Sequence, residues 1–133
     1  MIWEKEGQEM EQTTKKLKIL VMDDEELIRQ ILGETLRMLG YEVIVTSDGE
    51  EALEKYVEAM SGGKPFDLVI LDLTVPNGMG GKETLDRLFE INKDVIAFVS
   101  SGFSLDVPEG FRLAVPKPYR LEQVARAIKE VFE

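Results

Sequence analysis

The stretch 68–76, Leu-Val-Ile-Leu-Asp-Leu-Thr-Val-Pro, constrains this chain more than any other. Four apolar, mostly β-favouring residues run without interruption into one acid, Asp72. A continuous apolar run bounded by polar segments reads as a strand buried on both faces. Pro76 and the Asn77-Gly78 pair behind it mark a loop, so the strand ends near Asp72 or Leu73. One carboxylate is thereby left at the C-terminal end of a buried strand, the edge at which open parallel sheets bind ligands. Alone, an acid in that place is an ordinary turn residue. The rest of the chain gives it meaning.

The same pattern recurs on both sides. Residues 18–22 (Lys-Ile-Leu-Val-Met) read as a buried strand that ends at Asp23-Asp24. Residues 25–39 carry Ile28, Ile31, Leu32, Leu36 and Leu39 at helical spacing, and Gly40 is a fitting stop. Residues 42–46 (Glu-Val-Ile-Val-Thr) form a second strand. Ser47 and Asp48, with Glu50 and Glu51 three residues on, have the spacing of a capping box. They open a helix with Leu53, Tyr56, Val57 and Met60 on its inner face, closed by Ser61-Gly62-Gly63-Lys64-Pro65. Beyond the Asp72 strand, residues 80–90 read as a third helix with Leu85, Leu88 and Phe89 inward. Residues 95–99 are a fourth strand, followed by Ser100-Ser101-Gly102. A short fifth, 113–115, meets Pro116-Lys117-Pro118. The last helix starts near Leu121 and carries the stripe Leu121, Val124, Ala125, Ile128, Val131 and Phe132.

Strands that alternate with helices imply βαβ units and a parallel sheet covered on both faces. Right-handed crossovers then bring the C-terminal ends of the strands to one edge. Asp23, Asp24, Asp72, Ser100 and Lys117 each follow a predicted strand, so they meet there.

Composition narrows the chemistry. The 133 residues suit one domain, here 17–133, behind a mostly polar tail or linker at 1–16 that holds Trp3. There is no Cys and no His, which removes thiol chemistry, imidazole bases and the usual zinc ligands. Any metal must be held by oxygen, as Mg2+ and Ca2+ are. With 26 acids against 16 bases the formal charge is -10, the wrong sign for a nucleic-acid surface. No apolar run reaches transmembrane length and no signal segment opens the chain, so a cytoplasmic protein without membrane contact is expected.

Carboxylates converging on one edge repel. At roughly 5 Å and an effective dielectric near 20, each pair costs about 3 kcal/mol. Either one takes up a proton or a cation sits among them. A hard divalent cation with oxygen ligands, one lysine and one hydroxyl together make a site for a phosphoryl group, with a carboxylate present as nucleophile.

These residues resemble the receiver domain of two-component response regulators. The acid pair Asp23-Asp24, Asp72, Ser100 and Lys117-Pro118 fall after successive strands, and Pro76 and Gly80 lie four and eight residues past Asp72. In wording, the segments around Asp72, Ser100-Ser101-Gly102-Phe103-Ser104 and Lys117-Pro118-Tyr119 are closest to receivers of hybrid sensor kinases. The resemblance implies a flavodoxin-like, doubly wound α/β fold, a five-stranded parallel sheet of order 2-1-3-4-5. It implies that Asp72 accepts a phosphoryl group from the phosphohistidine of a sensor histidine kinase or a histidine phosphotransfer domain. Mg2+ would be held by Asp24, Asp72 and the Thr74 backbone carbonyl, and by Asp23 through water. Lys117 would contact the phosphoryl group, Ser100 would be the switch hydroxyl, and the Lys117-Pro118 bond would be cis. Such a domain is not an enzyme toward other molecules; it catalyses only its own phosphorylation and dephosphorylation. A monomer is favoured. The chain ends with its last helix, so no output domain is expected behind it.

Two departures stand out. Ser100 and Lys117 are closer in sequence than in the family, and the shortage falls at 104–109, where the fourth helix belongs. A segment that short, holding Pro108, leaves that helix shortened or absent. Ala114 occupies a position that is often an aromatic switch residue. Phosphorylation is therefore expected to act locally, with the final helix unmoved. Three other readings fit less well. A degenerate, contact-only receiver would not keep the acids and the lysine. A Mg2+-dependent phosphatase would need an acid where Thr74 stands. A flavin-binding domain would not place Asp-Asp-Glu-Glu in its phosphate loop.

Overall fold

The computed structural model describes residues 16–102, 106–117 and 119–133. Five parallel strands form one sheet: β1 (Lys18–Met22), β2 (Glu42–Thr46), β3 (Leu68–Asp72), β4 (Ala97–Ser101) and β5 (Leu113–Pro116). Their order is β2-β1-β3-β4-β5, as expected, and the helices between them are α1 (Glu26–Met38), α2 (Gly49–Ser61), α3 (Gly81–Ile91) and α4 (Leu121–Phe132). This is the doubly wound, flavodoxin-like architecture. None of these helices is long and apolar enough to cross a membrane. The expected tail or linker at 1–16, Lys16 aside, lies outside the described residues, as does Pro118 of the expected cis bond.

Alternation along each strand builds two cores. Ile19, Val21, Leu68, Ile70, Phe98 and Val115 pack on one face with Leu32 and Leu36 of α1 and Val124 and Ile128 of α4. Leu20, Met22, Val69, Leu71, Ala97 and Val99 pack on the other with Ala52 and Tyr56 of α2 and Leu85 and Leu88 of α3. Full burial of one such aliphatic side chain contributes roughly 1.5–3 kcal/mol. β3 is buried at every position, which is why its sequence reads as an unbroken apolar run.

Local signals set the helix ends. The Asp48 carboxylate accepts the Glu51 N–H at 2.9 Å, while Glu51 reaches back to the Ser47 N–H at 2.7 Å, the reciprocal capping that the sequence predicted. α1 stops where Gly40 takes φ +94° and the Tyr41 N–H returns to the Leu36 carbonyl.

Some expectations move. β4 runs two residues later than the apolar run 95–99 suggested, because the Val95 N–H closes a turn onto Asn92. Ser100 therefore sits inside β4, not after it. On α2 the inward positions are Gly49, Ala52 and Tyr56, whereas Val57 and Met60 are 45% and 38% exposed. Between β4 and β5 the described residues hold no helix. A turn closes there with the Phe111 N–H on the Pro108 carbonyl, and buried Phe111 plugs the core beside α3.

Close approach at the edge of the sheet depends on glycine. A Cβ on Gly81 would lie 2.6 Å from the Asp72 carbonyl oxygen, and one on Gly80 would lie 2.8 Å from that of Leu73. Both neighbours are backbone, so neither can yield cheaply. Gly81→Ala should lower stability by about 1–3 kcal/mol. In urea titrations the midpoint should fall with little change in slope.

Candidate functional site

The sheet order makes β1 and β3 neighbours, and β4 lies next to β3. Asp23 directly follows β1, Asp72 ends β3, and Ser100 pairs in register with Asp72. All of them, and Lys117 beyond β5, fall at one edge, as the sequence predicted.

Asp23 is the most constrained. It is 1% exposed, its N–H donates to the Thr46 carbonyl, and its own carbonyl accepts from the Arg29 guanidinium at 2.9 Å. One carboxylate oxygen accepts the Glu25 N–H at 2.9 Å. The other, Oδ2, is buried and accepts no hydrogen bond of good angle, but the Lys117 ammonium lies 2.7 Å away. Charge attraction at that distance persists whatever the angle. The same ammonium is 3.4 Å from Asp72 Oδ2. Lys117 is thus shared, and it sits closer to Asp23 than to Asp72.

Asp72 is 5% exposed, and its Oδ1 accepts the Thr74 N–H in a long bond of 3.4 Å. Burial, then the charge of Asp23, raises its pKa from 3.8 to about 6. Lys117 opposes this, while a hydrogen bond with the Asp24 carboxyl adds to it. Burial alone would pull the Lys117 ammonium down. Its close contact with Asp23 and the charges of Asp23 and Asp72 outweigh burial and hold it above the usual lysine range. Asp24 and Glu25 are exposed, and carboxylate oxygens of Asp23, Asp24 and Glu25 lie within 4.8 Å of one another. Glu25 is a potential oxygen ligand that the sequence reading passed over.

A cleft of about 290 Å3 opens above these groups, lined by Asp24, Glu25, Asp72, Thr74, Ser101 and Lys117 among others. The hydroxyl-bearing residue of β4 that lines it is Ser101, with Gly102 beside it. Ser100, the expected hydroxyl, is 1% exposed and hydrogen-bonded to the Tyr119 hydroxyl. Of the two adjacent serines, Ser101 lines the cleft and Ser100 does not. The sequence offered no signal to separate them. It also gave no role to Tyr119, whose phenol is raised well above its ordinary range by burial.

The arrangement is short of positive charge, and stability should report it. The folded protein binds the Asp72 proton more tightly than the unfolded chain does. The stabilisation from that proton is full below pH about 3.8 and lost as pH rises through about 6. In a chelator, urea unfolding of the wild type should show this decline across that window. Asp72→Asn should remove it from the pH profile.

Comparison with known proteins agrees with the geometry. Residues 19–129 match the family model described as response regulator receiver domain. The alkaline phosphatase synthesis transcriptional regulatory protein PhoP of Bacillus subtilis is 51% identical over 71 residues, 53% of this chain and 27% of that protein. Across the first three curated relatives the match spans only 22% to 30% of their length. Among solved structures, the CheX–CheY–BeF3–Mg2+ complex of Borrelia burgdorferi is similar with a TM-score of 0.78 and 26% identity, covering 88% of this chain and 90% of that one. The receiver domain of the hybrid histidine kinase CckA gives 0.71 and 28%, covering 87% and 99%. With the acids and the lysine at one edge of a 2-1-3-4-5 sheet, and the family model spanning nearly all of it, this chain belongs to the response regulator receiver domain family.

Proposed function

We propose that this domain is a phosphoacceptor in a two-component relay and that Asp72 is the residue phosphorylated. The observation that carries the reading is one cleft lined by a buried carboxylate, a second acid beside it, and an ammonium 3.4 Å from the first. A sensor histidine kinase or a histidine phosphotransfer domain supplies the phosphoryl group. A carboxylate oxygen of Asp72 attacks phosphorus; the O–P bond forms, the N–P bond breaks, and the imidazole leaves with the electron pair and takes up a proton. Lys117 starts between Asp23 and Asp72 and follows the new negative charge onto the phosphoryl oxygens. The Thr74 N–H orients the Asp72 carboxylate. At the end of β4, Ser101 lines the cleft and is the hydroxyl placed to donate to a phosphoryl oxygen, whereas Ser100 would first have to leave Tyr119.

The surplus of acids fits a hard cation. Mg2+ takes oxygen ligands, and the charge of Asp23, which adds to burial in raising the Asp72 pKa, is what such a cation offsets. Asp24, Asp72 and the Thr74 carbonyl would hold it, Asp23 would do so through water, and Glu25 is a further candidate. Bound there, it offsets charge on the transferring oxygens. The similar Borrelia structure is a CheX–CheY complex that holds BeF3 and Mg2+. The domain catalyses only its own phosphorylation and dephosphorylation. It acts as a monomer in the cytoplasm, without membrane contact, and its charge of -10 leaves no basic face for nucleic acid.

Incubation with a small phosphodonor and Mg2+ should add one phosphoryl mass, mapped to Asp72. Asp72→Asn should gain none, and full labelling of that variant would overturn the assignment. The acyl phosphate should also be long-lived. Hydrolysis needs a water aligned on phosphorus, and Thr74 and Gly102, which border the cleft, bring neither an acid nor an amide to align it. Thr74→Asn should shorten the lifetime severalfold in a timed decay assay.

A further inference from the structure

Asp24, Asp72, Thr74, Ser101 and Lys117 line the cleft. Tyr119 does not line it, yet it is tied to the strand that does. Its hydroxyl is hydrogen-bonded to Ser100, the residue that pairs in register with Asp72. Its ring packs against the core cluster that contains Val124 and Ile128 of α4. It lies two residues before that helix begins, and the first helical bond there runs from the Val124 N–H to the Arg120 carbonyl. One side chain therefore touches the end of β4 and packs on the core cluster to which α4 contributes Val124 and Ile128.

We propose that Tyr119 is the positioning residue that couples occupancy of the Asp72 cleft to the final helix, by way of its bond to Ser100. The inference rests on the phosphoacceptor reading above. The peptides at the end of β4 are held on both sides: the Ser100 carbonyl accepts the Leu73 N–H, and the Ser101 carbonyl accepts the Lys117 N–H, each at 3.2 Å. Leu73 follows the acceptor, and Lys117 is its counter-charge. A phosphoryl group that draws in the Ser101 hydroxyl and the Lys117 ammonium thus pulls both anchors of the segment that carries Ser100. The new bonds are to an anion and are roughly twice as strong as a bond between two neutral hydroxyls. The Ser100–Tyr119 bond is the one that yields. Ser100 is buried, and a tyrosine hydroxyl without its partner at a buried site is costly, so the phenol must turn to find water or another acceptor. The ring then cannot keep its packing against the core cluster to which Val124 and Ile128 belong, and the first turn of α4 responds. This revises the expectation that the final helix stays unmoved. That expectation considered only Ala114, whose methyl has nothing to swing, and the short connection before β5.

The chain has three tyrosines, Tyr41, Tyr56 and Tyr119, so fluorotyrosine labelling gives a small set of 19F resonances, and Tyr119→Phe assigns the one of interest. The protein is titrated with Mg2+ and trifluoroberyllate. The Tyr119 resonance should shift by more than its linewidth while those of Tyr41 and Tyr56 stay. Amide exchange at residues 121–124 should change severalfold in the same titration. Tyr119→Phe keeps the ring, and Ser100→Ala keeps the phenol. Each should still bind trifluoroberyllate, read by thermal shift, and each should lose the exchange response in α4. A saturated cleft with a silent Tyr119 resonance, or an α4 response that survives in both variants, would overturn the coupling and leave the phosphoacceptor reading intact. Failure of the wild type to bind trifluoroberyllate in Mg2+ would overturn the reading and the coupling with it.

Discussion

One ammonium between two buried carboxylates is the interaction on which the rest of this edge depends. Lys117 leaves the end of β5, yet its partners follow β1 and end β3. Neighbouring strands lie about 4.8 Å apart, so the side chain crosses β4 to reach Asp72 and passes β3 as well to reach Asp23. Only a long, flexible stem can do this, and only if β4 ends in residues small enough to pass beneath it. Ser100, Ser101 and Gly102 meet that condition. The consequence is an unbalanced site, in which one base neutralises part of what Asp23, Asp24 and Asp72 bring. Burial first, and then the charge of Asp23, raises the Asp72 pKa to about 6. The deficit of positive charge is chemically useful, because it makes room for a cation before the phosphoryl group arrives.

The surrounding backbone holds this imbalance in place. Asp23 cannot move away from the lysine, since its N–H, its carbonyl and one carboxylate oxygen are all engaged. Asp72 is fixed by a strand buried on both faces and by α3, whose glycines allow it to close against the backbone of Asp72 and Leu73. The helix start at Gly49 joins the same clamp, because its N–H donates to the Met79 carbonyl and a Cβ there would collide with Thr84 Oγ1. A rigid frame of this kind maintains electrostatic strain that a flexible loop would relax by moving its charges apart.

Much of the fold was legible because burial on both faces leaves a plain signature. The apolar runs of β1 and β3, the stop at Gly40 and the cap at Asp48 were each readable from a few adjacent residues. Apolar character was less informative where a helix meets the sheet through small residues. On α2 the contact is made by Gly49, Ala52 and Tyr56, so Val57 and Met60 are left at the margin. The run 95–99 misplaced β4, since apolar side chains also line the turn that precedes it.

The sequence by itself determined which groups could take part: three acids and one lysine after successive strands, no imidazole, no thiol, and too little chain before β5 for a normal helix. Those are properties of residue type and spacing, and the alternation of strands and helices brings them to one edge whatever the details. The tertiary structure decided the partners. It brought Lys117 closer to Asp23 than to Asp72, set Glu25 beside the acid pair, gave the cleft to Ser101 and gave Ser100 to Tyr119. Such choices turn on the register between strands far apart in sequence. A shift of one residue there sends a side chain to the opposite face of the sheet, and nothing local in the chain records which register wins.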